Sequence, residues 1–233
     1  MRILVVNPNT TASMTEKIGA AARRVASAGT EIVAVNSLFG PASIEGFYDE
    51  AMSLAGMLDV IRKASGYDAV VIACFDDTGL DAARCLTEKP VIGIGEAAYH
   101  MASMISNKFS VVTTLARSVP ALEHNLHRYG LIARCARVRS SEVAVLDLEH
   151  PGSDACNRIS AEIGRAVAED RAEAIVLGCA GMADLAESLA KDHGLPVLDG
   201  VTCAVGLAEA MVKLGLMTSR IGGYSPPPTH KAV

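Results

Sequence analysis

The 233-residue chain repeats itself. Ala69-Val70-Val71-Ile72-Ala73-Cys74 is echoed by Ala174-Ile175-Val176-Leu177-Gly178-Cys179, and Pro90-Val91-Ile92-Gly93 by Pro196-Val197-Leu198-Asp199. The opening Val5-Val6-Asn7-Pro8-Asn9-Thr10 has a partner in Val111-Val112-Thr113-Thr114-Leu115-Ala116. All three pairs share an offset of about 105 residues, the mark of a duplicated unit. One match between runs rich in Val, Ile and Ala arises by chance, but a common spacing is harder to obtain that way. The chain therefore reads as two similar halves.

Within each half, short apolar runs alternate with Ala-rich helical stretches. Strands are expected at 2–6, 31–36, 69–73, 91–94, 109–113, 132–138, 174–178 and 197–198. Helices are expected at 11–28, 50–64, 118–129, 153–169 and 182–192, with a helical pattern after each repeated cysteine. The strand runs lack period-two alternation, which suits strands buried on both faces of a parallel sheet. The fold class that follows is α/β: two similar doubly wound parallel-sheet lobes, related by a pseudo-twofold axis, with the active site in the cleft between them. Right-handed crossovers place the functional loops at the C-terminal ends of the strands.

Composition narrows the function. A net charge of −5, no Trp and 4% aromatic residues argue against a nucleic-acid partner, which needs a basic or base-stacking face. No apolar run is long enough for a membrane span, and the apolar run before Asn7-Pro8 is too short for a secretion signal. A soluble cytoplasmic protein with reduced thiols is expected. The six cysteines include no C-x-x-C pair, so neither a disulfide framework nor a zinc site is anticipated, and no metal is expected.

Cys74 and Cys179 are set apart by the repeat. Each follows a buried strand and precedes a helical pattern, and halves packed face to face bring the two thiols to one cleft from opposite sides. Ionising a thiol of pKa about 8.5 at neutral pH costs roughly 1.4 kcal/mol per pH unit. A helix N-terminus returns roughly 0.3–1 kcal/mol, and up to about 2 when partly buried. Asp76 and Asp77 oppose a thiolate at Cys74, whereas no acid follows Cys179 until Asp184. Cys179 is thus the expected resting thiolate and Cys74 the resting thiol. Two such groups flanking a carbon can remove an acidic α-proton from one face and return a proton to the other, inverting the centre. Backbone N–H groups after each cysteine, with Gly181 allowing close approach, would stabilise the enolate. Asn9, Thr113 and Thr114, on polar loops facing the same cleft, would hold a small polar substrate.

Other features have blander readings. Cys85, Cys135, Cys156 and Cys203 have no such pairing and read as small buried hydrophobes. Gly93-Ile94-Gly95 lacks the third glycine of a dinucleotide fingerprint. Asp81, Arg84 and the Glu187/Lys191 pair read as solvated helix faces, and 225–228 as an extended Pro-rich segment. A two-lobed ligand-binding protein without turnover is the alternative of a different class, though it has no need of two matched thiols.

Several blocks resemble the aspartate/glutamate racemase superfamily, and within it the hydantoin racemases, with allantoin racemases close by. They are Arg2-Ile3-Leu4-Val5-Val6-Asn7-Pro8-Asn9-Thr10, Gly40-Pro41-Ala42-Ser43-Ile44-Glu45-Gly46, Ile72-Ala73-Cys74-Phe75-Asp76-Asp77-Thr78-Gly79-Leu80-Asp81-Ala82, Glu96-Ala97-Ala98-Tyr99-His100-Met101 and Ile175-Val176-Leu177-Gly178-Cys179-Ala180-Gly181-Met182. The resemblance implies a cofactor-independent racemase that uses Cys74 and Cys179 as acid and base, and a homo-oligomer. It also implies that the helix after each half's last strand crosses to the other half. The first lobe would then comprise 1–94 plus 202–233 and the second 95–201. Amino-acid racemases of the superfamily carry Asn-Thr and Thr after the two cysteines to bind an α-carboxylate; here Phe75-Asp76 and Ala180 stand in those places. That departure favours a neutral ring, a 5-monosubstituted hydantoin, over free aspartate or glutamate. Phe39 and Phe75 would border the pocket for the 5-substituent. An apolar wall there would favour alkyl or aryl groups, and several polar side chains a ureido group.

Overall fold

The computed structural model, which describes residues 1–150 and 152–228, contains one four-stranded parallel unit twice. In the first lobe β1 (Arg2–Asn7), β2 (Glu31–Asn36), β3 (Ala69–Ile72) and β4 (Val91–Gly93) lie in the order β2-β1-β3-β4. In the second, β5 (Phe109–Thr113), β6 (Cys135–Ser140), β7 (Ala174–Leu177) and β8 (Val197–Asp199) lie in the order β6-β5-β7-β8. The register repeats as well: Val5 pairs with Val71 in one sheet and Val111 with Val176 in the other. The helices are α1 (Ala12–Val25), α2 (Phe47–Lys63), α3 (Leu80–Leu86) and α4 (Ile94–Ile105), then α5 (Val119–Arg128), α6 (Ala155–Asp170), α7 (Ala186–His193) and α8 (Gly200–Lys213). None is long and apolar enough to cross a membrane among the described residues.

The unbroken apolar strands follow from this layering, because each strand feeds two cores. Ile3 and Val5 of β1 face a central cluster shared by both lobes, while Leu4 and Val6 face α2 and α3. In the second lobe Val111 points to the centre and Val112 to α6 and α7. The central layer holds α1, α4, α5 and α8. There α4, which follows the first sheet, packs on β7 and β8 of the second lobe, and α8, which follows the second sheet, packs on β3, β4 and α1 of the first. Tyr99 of α4, fully buried, meets Phe75 edge-on at 5.3 Å and stacks on Phe109 at 6.2 Å, tying the two sheets together. The last five residues of the expected first lobe, 229–233, lie outside the described residues.

Some boundaries differ from expectation for local reasons. Residues 132–134 form a turn, not the start of β6, because Gly130 turns left-handed (φ 72°) and the Leu131 N–H returns to the Leu126 carbonyl to close α5. The expected helix at 182–192 splits into a 3-10 turn (Ala180–Met182) and α7. Cys135 and Cys203 are buried as expected, but Cys85 is half-buried and Cys156 sits exposed on α6. Residues 225–228 are exposed, and just before them Tyr224 anchors the tail to α3 by donating to Asp81 at 3.0 Å.

One buried charge cluster holds the second sheet to its outer helix. Arg139 on β6, its side chain 6% exposed, pairs with Glu162 at 3.0 Å and with Asp170 and Glu169 at 2.6 and 2.7 Å. Arg139→Met leaves Asp170 and Glu169 without their paired cation and Glu162 with only the more exposed Arg165, and the expected loss is about 3–5 kcal/mol of unfolding free energy in urea denaturation. A loss under about 1 kcal/mol would show that the cluster adds little beyond an apolar contact. The hydrogen bonds from Arg139 hold the Asp170 carboxyl below its usual range. Its contribution is therefore present above the unfolded value of about 4 and is lost as pH falls through the lower folded value. The variant should lack that acid-sensitive part.

Candidate active site

In a sheet ordered β2-β1-β3-β4 the winding direction reverses between β1 and β3, and the crevice beyond their C-terminal ends is where such folds bind ligands. The second sheet reverses between β5 and β7. All four of these strand ends converge on one cavity. Asn7 and Asn9 come from the end of β1, Cys74, Phe75 and Asp76 from β3, Thr113 and Thr114 from β5, and Cys179 and Ala180 from β7.

The two cysteines share one local structure. Each lies two residues past its strand, and each carbonyl accepts the N–H three residues on: Asp77 to Cys74 at 3.0 Å, Met182 to Cys179 at 3.1 Å. The thiols are near enough to act on each other electrostatically. Gly178 makes the second approach possible. A Cβ there would stand 2.8 Å from the Thr113 Cβ, and the Thr113 hydroxyl donates to the Gly178 carbonyl at 2.9 Å.

The expected resting thiolate at Cys179 is corrected by the structure. No α-helix starts at either cysteine: Cys179 leads only into the three-residue 3-10 turn Ala180–Met182, and α3 begins at Leu80 and α7 at Ala186, too distant for a field that fades within one turn. Burial instead pushes Cys179 up to about 12, partly offset by the Gly181 N–H. Cys74 is pushed well above the ordinary thiol range, first by burial and then by the Asp76 charge, against the Thr78 hydroxyl and the Asp76 N–H. Both rest as neutral thiols.

The other sequence-derived candidates divide. Asn9, Thr113, Thr114, Phe75, Asp76 and Ala180 line the cavity. Phe75 turns its ring into the Tyr99 core, and Phe39 stands outside the cavity, 51% exposed. Gly181 is not in the wall but supplies an N–H to Cys179. Among the described residues the Asn9 amide donates only to the Met14 sulfur, a weak acceptor, at 3.2 Å. Burial and the charges of Glu50 and Asp77 push the Asp76 carboxyl up to about 7.

Asn7, at the head of the polar loop expected to face the cleft, lines the cavity too, whereas sequence reasoning missed Met14, Ile44, Ser118 and Val145. Ser118 and Val145 lie in no repeated block, so no spacing marked them. It also missed the role of Asp77, whose carboxylate accepts from the first N–H groups of α4, Gly95 at 2.9 Å and Glu96 at 2.7 Å, and from the Tyr129 hydroxyl at 2.7 Å. Asp77 thus fixes the Cys74 loop to the central layer. Among the described residues no group of three or more His, Cys, Asp or Glu is placed to hold a metal ion.

Two segments close the cavity from opposite lobes. Ile44 covers it from the first lobe, and Val145, opening a 3-10 turn (Val145–Glu149), from the second. The Val145 N–H donates to Glu45 at 2.8 Å, and the Lys17 ammonium donates to the Leu148 carbonyl at 2.7 Å and pairs with Glu149 at 2.9 Å. The space left between these segments and the strand ends measures about 30 Å³. Replacing Glu45 by Ala and Lys17 by Met together should speed amide exchange at Val145 about tenfold or more, as expected for a local opening eased by 1–2 kcal/mol. Unchanged exchange would mean that these contacts do not hold the cavity shut.

The chain matches the family model described as Asp/Glu/hydantoin racemase over residues 3–208. A hydantoin racemase from Rhizobium meliloti is 51% identical over 229 residues, covering 97% of this chain and 95% of that protein. One from Pseudomonas sp. (strain NS671) is 48% identical over 97% of this chain and 92% of its own. The structure of allantoin racemase from Klebsiella pneumoniae superposes with a TM-score of 0.96 at 48% identity, covering 98% of this chain and 94% of that one.

Proposed function

The chain belongs to the Asp/Glu/hydantoin racemase family, and we propose that it racemises 5-monosubstituted hydantoins, Cys74 and Cys179 exchanging the C5 proton from opposite faces of the ring. The observation that carries this reading is the convergence of both thiols on one cavity at the two sheet switch points. The C5–H is acidified by the neighbouring ring carbonyl. One cysteine, ionised, takes that proton and becomes a thiol, leaving an enolate. The other, a thiol, gives its proton to the opposite face and becomes the thiolate. One proton leaves C5 and one joins it, and the enzyme ends in the form that handles the other enantiomer. Both thiols rest neutral, so each turnover begins from a minor ionised form. The N–H groups of Asp76 and Gly181, which reach the two sulfurs, favour that form on either side.

Free amino acids fit less well. The wall beside Cys74 carries an acid, Asp76, which repels a substrate carboxylate, and Ala180 beside Cys179 offers no side-chain donor. Among hydantoins, a second reading is favoured by the polar lining of Asn9, Asp76, Thr114 and Ser118, which suits a 5-ureido group, the substituent of allantoin, better than an alkyl one.

The test is polarimetry of single-enantiomer 5-substituted hydantoins in D2O, corrected for spontaneous racemisation and followed by NMR. Loss of rotation with deuterium entering C5 is expected. Retained rotation with protium still at C5 for alkyl, aryl and ureido substrates alike would overturn the reading.

A further inference from the structure

Four carboxylates of the described chain are buried: Asp76, Asp77, Glu162 and Asp199. Three are satisfied. Asp77 takes two N–H groups and a tyrosine hydroxyl, Glu162 pairs with Arg139, and Asp199 caps α8 through the Thr202 N–H at 2.8 Å. Asp76 differs. Its Oδ2 is buried with no hydrogen-bond partner among the described residues, although Asn125 grips its backbone carbonyl at 2.7 Å and holds the residue in place. A carboxylate left this way is a standing cost, relieved either by taking up a proton or by an incoming donor. No group of the cavity wall donates to this oxygen: the wall contains no Lys, Arg or His, and none of its Asn, Ser or Thr side chains bonds to it among the described residues. Asp76 also lies where its charge reaches both Cys74 and Cys179, which places it beside whatever occupies the space between them.

We propose that Asp76 is a specificity-determining residue, accepting two N–H groups of the substituent at C5 and so selecting a ureido-type substituent over an alkyl one. A terminal urea presents an N–H and an NH2 side by side, and these meet the two oxygens of a carboxylate as the fork of a guanidinium does. An alkyl group in the same place leaves the carboxylate dry and unpaired. The assignment rests on the racemase reading above and deepens it.

The test compares kcat/KM for allantoin and for 5-isobutylhydantoin in the wild-type protein, Asp76→Asn and Asp76→Ala, with C5 deuterium exchange as the common readout. The ureido-to-alkyl ratio should fall tenfold or more in both variants, the weight of a lost charge-assisted hydrogen bond. A ratio that is unchanged or raised overturns the assignment. The melting temperature of unliganded Asp76→Asn provides an independent readout. Measured at pH 8, where the carboxyl is ionised, it should rise, because an unpaired buried charge has gone, and a fall of several degrees would mean that the carboxylate serves the fold instead. Should the wild-type protein exchange neither substrate, the racemase reading fails and the assignment with it. Should it exchange both while the ratio stands still, only the role of Asp76 is lost.

Discussion

Cys74→Ser and Cys179→Ser should each lower the racemisation rate by about a thousandfold, within the range for removing one general acid or base. Serine keeps the shape of the side chain and the turn around it, so the fold should persist. Its hydroxyl ionises too rarely to act as the base on either face. Two features of the structure make the expectation the same for both variants: the thiols occupy equivalent turns in equivalent lobes, and both line the one cavity. Racemisation needs both faces, so a single intact thiol does not rescue it. Polarimetry on each purified variant, with circular dichroism to check folding, decides the matter. Full activity in either would remove that cysteine from the chemistry.

The second large effect is on pH. Since burial favours the neutral form of both thiols, the thiolate that the proposed mechanism needs is scarce at pH 7, and its fraction grows tenfold for each unit of pH. The rate, corrected for spontaneous racemisation, should climb nearly that steeply from pH 7 to about 8.5. A ceiling follows from stability. Burial raises Cys74, Cys135, Cys179 and Cys203 alike, the last three to about 12. Below the unfolded thiol value of about 8.5 both folded and unfolded chains keep these protons, and stability is unaffected. Above it the unfolded chain releases protons that the folded chain retains. Stability then falls by roughly 1.4 kcal/mol per pH unit for each thiol until the folded value is reached. Activity should therefore rise and then collapse together with the far-ultraviolet circular dichroism signal. A rate flat between pH 7 and 8.5 would contradict a resting pair of neutral thiols.

The two-lobed fold was legible because the repeat carries it. Runs such as Ala69–Ile72 and Ala174–Leu177 are apolar on both faces for a reason visible only in the assembled layers: alternate residues serve different cores. Edge strands were harder to read. In β6 the polar Arg137 and Arg139 weaken the apolar signal, while of the apolar pair that resembles a strand start Leu131 closes α5 and Ile132 opens a turn. The spacing that pairs Cys74 with Cys179 is a long-range signal in a single sequence, but what surrounds them is not. Ile44, Ser118 and Val145 reach the cavity from unrepeated segments, and Phe39, aromatic and near the resembling Gly40–Gly46 block, ends up facing solvent. The missing thiolate has the same origin. Sequence showed helical patterns after the cysteines but not the intervening turns that put the helix ends out of range.

Deuterium exchange by the two single variants, each given each pure enantiomer, looks most directly at two sulfurs on opposite sides of one carbon. The remaining thiol in each variant can still remove and return a proton on its own face without inverting the centre. Cys74→Ser should then exchange C5 of one enantiomer and Cys179→Ser that of its mirror image, with optical rotation preserved in both. Exchange of the same enantiomer by both variants would place the two thiols on one face, and the proposed mechanism would not stand.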